Sequence, residues 1–196
     1  MKKVAVVGFG FMGMTHSLNI FKNQDLELVA IIDKDIESIE QKLKQPEGNF
    51  STGEIDPEKI QKVNKYHSLT DCIENEDFEA VHVCVHTDLH FQITKEALQA
   101  GKHVLLEKPF SLDIQECREL IDRAHKKDLI LMVAHVLRFM PPYLKLRSWI
   151  EKEEFGKLKF LSMTRFSGVA ILSETEGERW ASAPSSTFGS STTRCV

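Results

Sequence analysis

Gly8-Phe9-Gly10-Phe11-Met12-Gly13 follows the apolar run Val4-Ala5-Val6-Val7 and leads into Met14-Thr15-His16-Ser17-Leu18-Asn19-Ile20. The apolar run reads as a buried strand and the segment after the glycines as a helix. The first N–H groups of a helix have no partner inside it and carry partial positive charge, so the turn suits an anion. A strand, a GxGxxG turn and a helix start in this order fit a pyrophosphate. Gly8 permits the tight turn, Gly10 lets the backbone approach phosphate oxygens, and Gly13 lets the helix pack close to the strand. Phe9, Phe11 and Met12 complete the candidate binding turn.

GxGxxG alone is a weak signal, and its context carries the reading. A second apolar run, Leu28-Val29-Ala30-Ile31-Ile32, ends in Asp33, twenty positions after Gly13. A carboxylate at the end of the second strand accepts both hydroxyls of an adenosine ribose and repels a 2′-phosphate. Asp33 therefore favours NAD, while Lys34 beside it keeps NADP open.

The chain has 196 residues, 42% of them hydrophobic, and a formal net charge of −4. That length fits one large domain, or one domain and part of another. The charge gives no reason to expect nucleic acid or an anionic membrane as partner. No apolar run approaches the roughly 20 residues of a membrane span. Met1-Lys2-Lys3 enters a strand at once, without a signal-peptide pattern, so the expected location is cytoplasmic. The cysteines Cys72, Cys84, Cys117 and Cys195 form no CxxC pair and read as free thiols. The histidines show no metal-binding spacing, and no metal site is expected.

Strand and helix patterns alternate along the first 135 residues. Strands are expected at 4–7, 28–32, 63–66, 81–85, 103–106 and 129–134. Helices are expected at 12–22, 35–44, 69–75 with Ser68 as cap, 89–100 ended by Gly101, and 113–127. Residues 45–61, with Pro46, Gly48, Gly53 and Pro57, read as a loop. In the helix over 113–127, Asp113 and Glu116 have capping-box spacing. Ile114, Cys117, Leu120, Ile121 and Ala124 share its apolar face. This alternation implies an α/β fold with a doubly wound parallel sheet and a ligand site beyond the strands' carboxyl ends. Pro141-Pro142 opens a helix over 141–152 with Tyr143, Leu146, Trp149 and Ile150 as its stripe. Residues 157–167 read as the first strand of a second domain. Eight of the twelve residues from Ser182 to Thr193 are Ser or Thr, and 173–196 reads as irregular or disordered tail.

Three further stretches, with the glycine turn, resemble the Gfo/Idh/MocA oxidoreductases. They are Cys84-Val85-His86-Thr87-Asp88-Leu89-His90 with Ala100-Gly101-Lys102-His103-Val104, then Glu107-Lys108-Pro109, and then His135-Val136-Leu137-Arg138-Phe139 with Pro141, Tyr143 and Phe155-Gly156-Lys157-Leu158. The resemblance implies a Rossmann-type NAD(P)-binding domain over 1–137. It implies that 138–172 begins a second α/β domain that holds substrate, with 173–196 beyond it. It implies hydride transfer between a nicotinamide cofactor and a secondary hydroxyl or ketone of a sugar- or cyclitol-like small molecule. The full-length family forms homo-oligomers.

The resemblance gives Lys108 the catalytic role. As hydride leaves carbon the hydroxyl must lose its proton, and a nearby amine or ammonium lowers that barrier. Read without the resemblance, Lys108 is a solvated lysine after a strand. Glu107 either orients Lys108, contacts the nicotinamide ribose, or is a surface carboxylate. His90 stands where the family keeps a histidine beside the cofactor, and a helix-face histidine is otherwise structural. Arg138 matches a recurrent arginine that serves the cofactor or an interface ion pair. Val85-His86 replaces the usual Thr-Pro, losing a hydroxyl and a fixed φ beside the cofactor.

The family's DxxxH substrate motif has no match after residue 138, because the last aspartate is Asp128 and the last histidine is His135. The Ser/Thr-rich tail is the pattern expected of a truncation or reading-frame shift. Two function classes follow: a dehydrogenase acting through Lys108, and a dinucleotide-binding protein without catalysis. A P-loop enzyme is excluded because Gly13 is not followed by Lys-Ser/Thr.

Overall fold

The apolar runs form six parallel strands: β1 (Lys2–Val7), β2 (Leu26–Ile32), β3 (Asn64–Tyr66), β4 (Ala80–Val83), β5 (His103–Leu106) and β6 (Leu131–Val133). The computed structural model describes residues 1–44 and 55–163. The sheet order is β3-β2-β1-β4-β5-β6, and every neighbouring pair is parallel. This is the doubly wound order whose direction reverses between β1 and β4. Among the described residues, six helices accompany the strands: α1 (Phe11–Lys22), α2 (Ile39–Lys44), α3 (Pro57–Gln61), α4 (Leu69–Asn75), α5 (His90–Gln99) and α6 (Ile114–Lys126).

Successive strand side chains point to opposite faces, so the sheet has two cores. Ala5, Val7, Val81, Val83, Val104 and Leu106 pack with Leu69, Cys72, Leu98 and Leu120 of α4, α5 and α6. Val4, Val6, Leu28 and Ile31 pack on the other face with Phe9, Met14, Ile20, Ile39 and Ile60. Each large side chain removed from water contributes about 1.5–3 kcal/mol before entropy is charged against it.

Local signals set most helix ends. Ser68 caps α4 by accepting the Asp71 N–H at 3.1 Å. Gly101, at φ +76°, ends α5, with Gly101 N–H donating to Leu98 and Lys102 N–H to Ala97. That pair of bonds is a Schellman motif, which favours glycine at the left-handed position. Asp113 caps α6 through the Gln115 N–H at 2.7 Å. The expected capping box is relayed: the Asp113 N–H donates to Ser111 Oγ, whose hydroxyl donates to Glu116.

Several expectations are corrected. The helix expected over 35–44 begins as a 3₁₀ turn, Ile36–Ser38, because the Asp35 carboxylate accepts the Ser38 N–H. The expected loop 45–61 contains α3, where Asp56 caps the helix, Pro57 starts it and Ile60 is buried; residues 45–54 lie outside the described residues. The strand expected over 81–85 ends at Val83. On α6 the buried stripe is narrower than expected: Leu120 and Ala124 are buried, while Ile114 and Ile121 are 63% and 42% exposed. The helix lies along α5, so only the centre of its apolar face reaches the core.

Met1–His135 forms one compact unit, and a second begins at Val136. In the second unit a 3₁₀ turn, Val136–Phe139, precedes α7 (Pro141–Glu151). The Trp149 ring meets the Phe155 ring edge-on at 5.6 Å, and Arg147 pairs with Glu151 across one turn. Of the strand expected over 157–167, residues 157–163 show a single bridge at Leu161 rather than a strand, and 164–167 lie outside the described residues, as does the tail 173–196. Among the described residues no helix is long and apolar enough to cross a membrane.

Candidate active site

The strand register brings the candidate residues to one edge. Tyr66, Ile32, Val7, Val83, Leu106 and Val133 form one row across the sheet. The residues that follow them along the carboxyl edge include Asp33 after β2, Gly8 after β1, Cys84 after β4 and Glu107 after β5. Backbone bonds continue one step past the strands: Gly8 N–H to Ile32, Cys84 N–H to Val7 and Glu107 N–H to Val83. Neighbouring strands lie about 4.8 Å apart, so the end of β5 is roughly 10 Å from the glycine turn.

The glycines have distinct reasons. Gly8 has φ +87°, and a Cβ there would lie 2.6 Å from the Cys84 carbonyl oxygen. A Cβ on Gly13 would lie 1.9 Å from the Gly8 carbonyl oxygen. Gly10 faces open space, with nothing within 4 Å of an added Cβ. Phe9 is fully buried and anchors the turn, while Phe11 and Met12 are half-buried. No side chain caps α1 and no acidic residue occupies its first turn. By contrast α3, α4 and α6 are capped by Asp56, Ser68 and Asp113. The α1 terminus thus keeps the donors and the field that suit an anion.

Asp33 ends β2 with its carboxylate turned toward the glycine turn. Its Oδ2 accepts the Phe9 N–H at 2.6 Å, and its Oδ1 accepts the Asp35 N–H at 2.9 Å. Lys42 on α2 approaches Oδ2 at 3.5 Å, and Lys34 is exposed. A carboxylate accepts about four hydrogen bonds, which leaves capacity for ribose hydroxyls.

After β4, the half-buried Val85 side chain lies against Gly8 and His86 is exposed. His90, at the start of α5, is 1% exposed. Its Nδ1 lies 2.8 Å from the Pro109 carbonyl and its Nε2 3.1 Å from the Val85 carbonyl. His90 thus braces the β4–α5 loop against the loop after β5. Arg138 is exposed in the 3₁₀ turn of the second unit.

Glu107 and Lys108 diverge at the end of β5: Glu107 is buried at 5% and Lys108 is exposed. The Lys108–Pro109 bond is cis. Glu107 Oε2 accepts the Lys108 N–H at 3.1 Å, and Oε1 lies 3.1 Å from His16 Nε2 on α1. His16 Nδ1 lies 3.1 Å from His82 Nδ1 on β4. Burial raises the Glu107 carboxyl, but His16 and the Lys108 N–H and ammonium outweigh it and hold it below its usual range. Burial and the neighbouring His16 push His82 down to about 4. Burial also raises the thiols of Cys72 and Cys84, Cys72 to about 12.

Sequence reasoning did not single out His16, His82 or Lys42. A polar residue inside Val81-His82-Val83 was the available signal, since a histidine amid a buried strand needs a partner.

An open α/β sheet with an uncapped helix start at its switch point and a carboxylate after the second strand defines a dinucleotide-binding protein. The sequence profile of the Gfo/Idh/MocA oxidoreductase family, NAD-binding Rossmann fold, matches residues 2–135, and the chain belongs to that family. It is 29% identical to a myo-inositol 2-dehydrogenase of Thermotoga maritima over 83% of this chain and 44% of that protein. It is 27% identical to an uncharacterized oxidoreductase of Synechocystis over 82% of this chain and 39% of that one. The scyllo-inositol dehydrogenase of Lactobacillus casei, solved with bound NAD(H) and scyllo-inositol, shares the fold. It gives a TM-score of 0.65 at 24% identity, over 80% of this chain and 42% of that one. The chain thus spans about two fifths of the length of these relatives.

Proposed function

We propose that this chain is the cofactor-binding part of an NAD-dependent dehydrogenase that oxidises a secondary hydroxyl of a cyclitol- or sugar-like substrate, or reduces the corresponding ketone. The observation that carries the reading is the convergence of three features at one sheet edge. These are the uncapped α1 terminus beside Gly10, the Asp33 carboxylate, and Lys108 after β5.

Each residue has a part. The N–H groups at the start of α1 bind the pyrophosphate, whose charge the helix field favours. Asp33 accepts the ribose hydroxyls, and its negative charge selects NAD over a 2′-phosphorylated cofactor. The bound nicotinamide supplies the hydride acceptor. Lys108 takes the hydroxyl proton, or as ammonium stabilises the oxygen that becomes negative as hydride departs. Val85, His86 and the His90 brace shape the cofactor's flank between the two. The inositol dehydrogenases among the relatives support a polyol substrate.

The test uses NADH fluorescence titration for binding and absorbance of NADH for turnover over a panel of inositols and sugars. Binding of NADH at least tenfold tighter than NADPH, with turnover of a polyol, is expected. Binding without turnover assigns a dinucleotide-binding role alone. Binding of neither dinucleotide overturns both readings.

A further inference from the structure

We propose that His16 is a positioning residue that ties the glycine-turn helix to the lysine-bearing end of β5. The proposal rests on the reading of Lys108 as the proton-transfer group, but its geometry can be tested without turnover. Four groups form a continuous chain: His82 Nδ1 to His16 Nδ1 at 3.1 Å, His16 Nε2 to Glu107 Oε1 at 3.1 Å, and Glu107 Oε2 to the Lys108 N–H at 3.1 Å. His16 is 11% exposed at its side chain and Glu107 7%, so water does not substitute freely for these contacts.

The proton placement follows from the chemistry. A carboxylate only accepts, so His16 Nε2 carries a proton toward Glu107. With Nε2 the donor, the neutral His16 ring accepts at Nδ1, and His82 Nδ1–H donates to it. Glu107 is then held at both oxygens, which fixes its rotamer and the plane of the peptide that begins Lys108. A lysine stem has many rotamers, so a fixed root narrows where its ammonium can go. Because α1 also presents the anion-binding terminus, one element senses the cofactor and holds the base. His16 touches neither ligand nor reacting atom in this role.

The test measures amide hydrogen exchange at Lys108 by NMR on the whole chain. Replacing His16 with leucine (His16→Leu) is expected to speed Lys108 exchange at least tenfold, with Val6 and Ile31 amides unchanged. His16→Gln, which keeps a donor, is expected to restore it to within about threefold. His16→Asn is polar but too short to reach Glu107, and decides the matter if the leucine variant does not fold. Lys108 exchange equal to wild type in His16→Leu or His16→Asn overturns the proposal. With myo-inositol as probe, His16→Leu is also expected to lower kcat about tenfold while KM for NAD changes less than threefold. If the wild-type chain shows no turnover, the dehydrogenase reading fails, and Lys108 exchange still decides the role of His16.

Discussion

The Asp33 carboxylate accepts the Phe9 N–H at 2.6 Å, across 24 residues of sequence. The residue proposed to read the ribose therefore also holds the glycine turn in shape. A hydrogen bond to a charged group contributes about 1.5–3 kcal/mol. Asp33→Ala is accordingly expected to lower both stability, by about 1–2 kcal/mol in urea unfolding, and NADH affinity, by more than tenfold. Asp33→Asn, which keeps an acceptor, should recover most of the stability and little of the preference for NADH over NADPH.

Gly10 and Gly13 should respond oppositely to one added methyl group. Gly13→Ala meets the Gly8 carbonyl oxygen at 1.9 Å, backbone that has nowhere to move. It is expected to cost about 3 kcal/mol or more, seen as a lowered melting temperature or loss of soluble protein. Gly10→Ala meets nothing within 4 Å and should fold normally. Its methyl occupies the space through which phosphates approach, so NADH affinity should fall about tenfold in a fluorescence titration.

His82 makes stability depend on pH. Its folded value of about 4 lies below the ordinary 6.5, so between these pH values the unfolded chain binds a proton that the folded chain refuses. Stability is expected to fall as pH drops from 6.5 toward 4, by at most about 1.4 kcal/mol per unit. Glu107 acts further down: its depressed value contributes stability present above the ordinary 4.5 and lost as pH falls through the folded value. Urea unfolding at pH 7, 5.5, 4.5 and 3 separates the two, since the His82 loss begins above pH 4.5 and the Glu107 loss below it. His82→Asn should flatten the upper window and leave the lower one.

Lys108 is exposed and no core packing depends on it. Lys108→Met is expected to leave the melting temperature within about 2 °C and NADH affinity within about threefold. Turnover should fall at least a hundredfold, the usual scale for removing a proton-transfer group. Equal turnover in the variant and wild type would remove Lys108 from the reaction.

Much of this fold was legible because its signals are local. Val4–Val7 and Leu28–Ile32 announce buried strands by composition, Ser68 and Asp113 announce helix starts, and Gly101 announces a helix end. What failed was less local. Of the strand expected over 157–167, the described residues 157–163 carry only a bridge at Leu161 and no ladder. Ile114 and Ile121 have the right spacing for a core face, yet the placement of α6 along α5 leaves them in water.

The glycine turn could be read at residues 8–13 because Gly8 and Gly13 answer backbone demands that only glycine meets, as their contacts show, while Gly10 leaves open the space in front of the helix start. Asp33 could be read because its place at a strand end follows from the strand itself. The meeting of His16, His82 and Glu107 could not be read. His16 and Glu107 are 91 residues apart, and His16 and His82 are 66 apart. Their contact exists only because β1, β4 and β5 lie side by side and α1 packs back across them. Sequence by itself picked out the turn, the carboxylate and the lysine as candidates. Tertiary structure alone decided which side chains meet beside that lysine, since hydrogen bonds between distant side chains are set by how strands pair and helices cross.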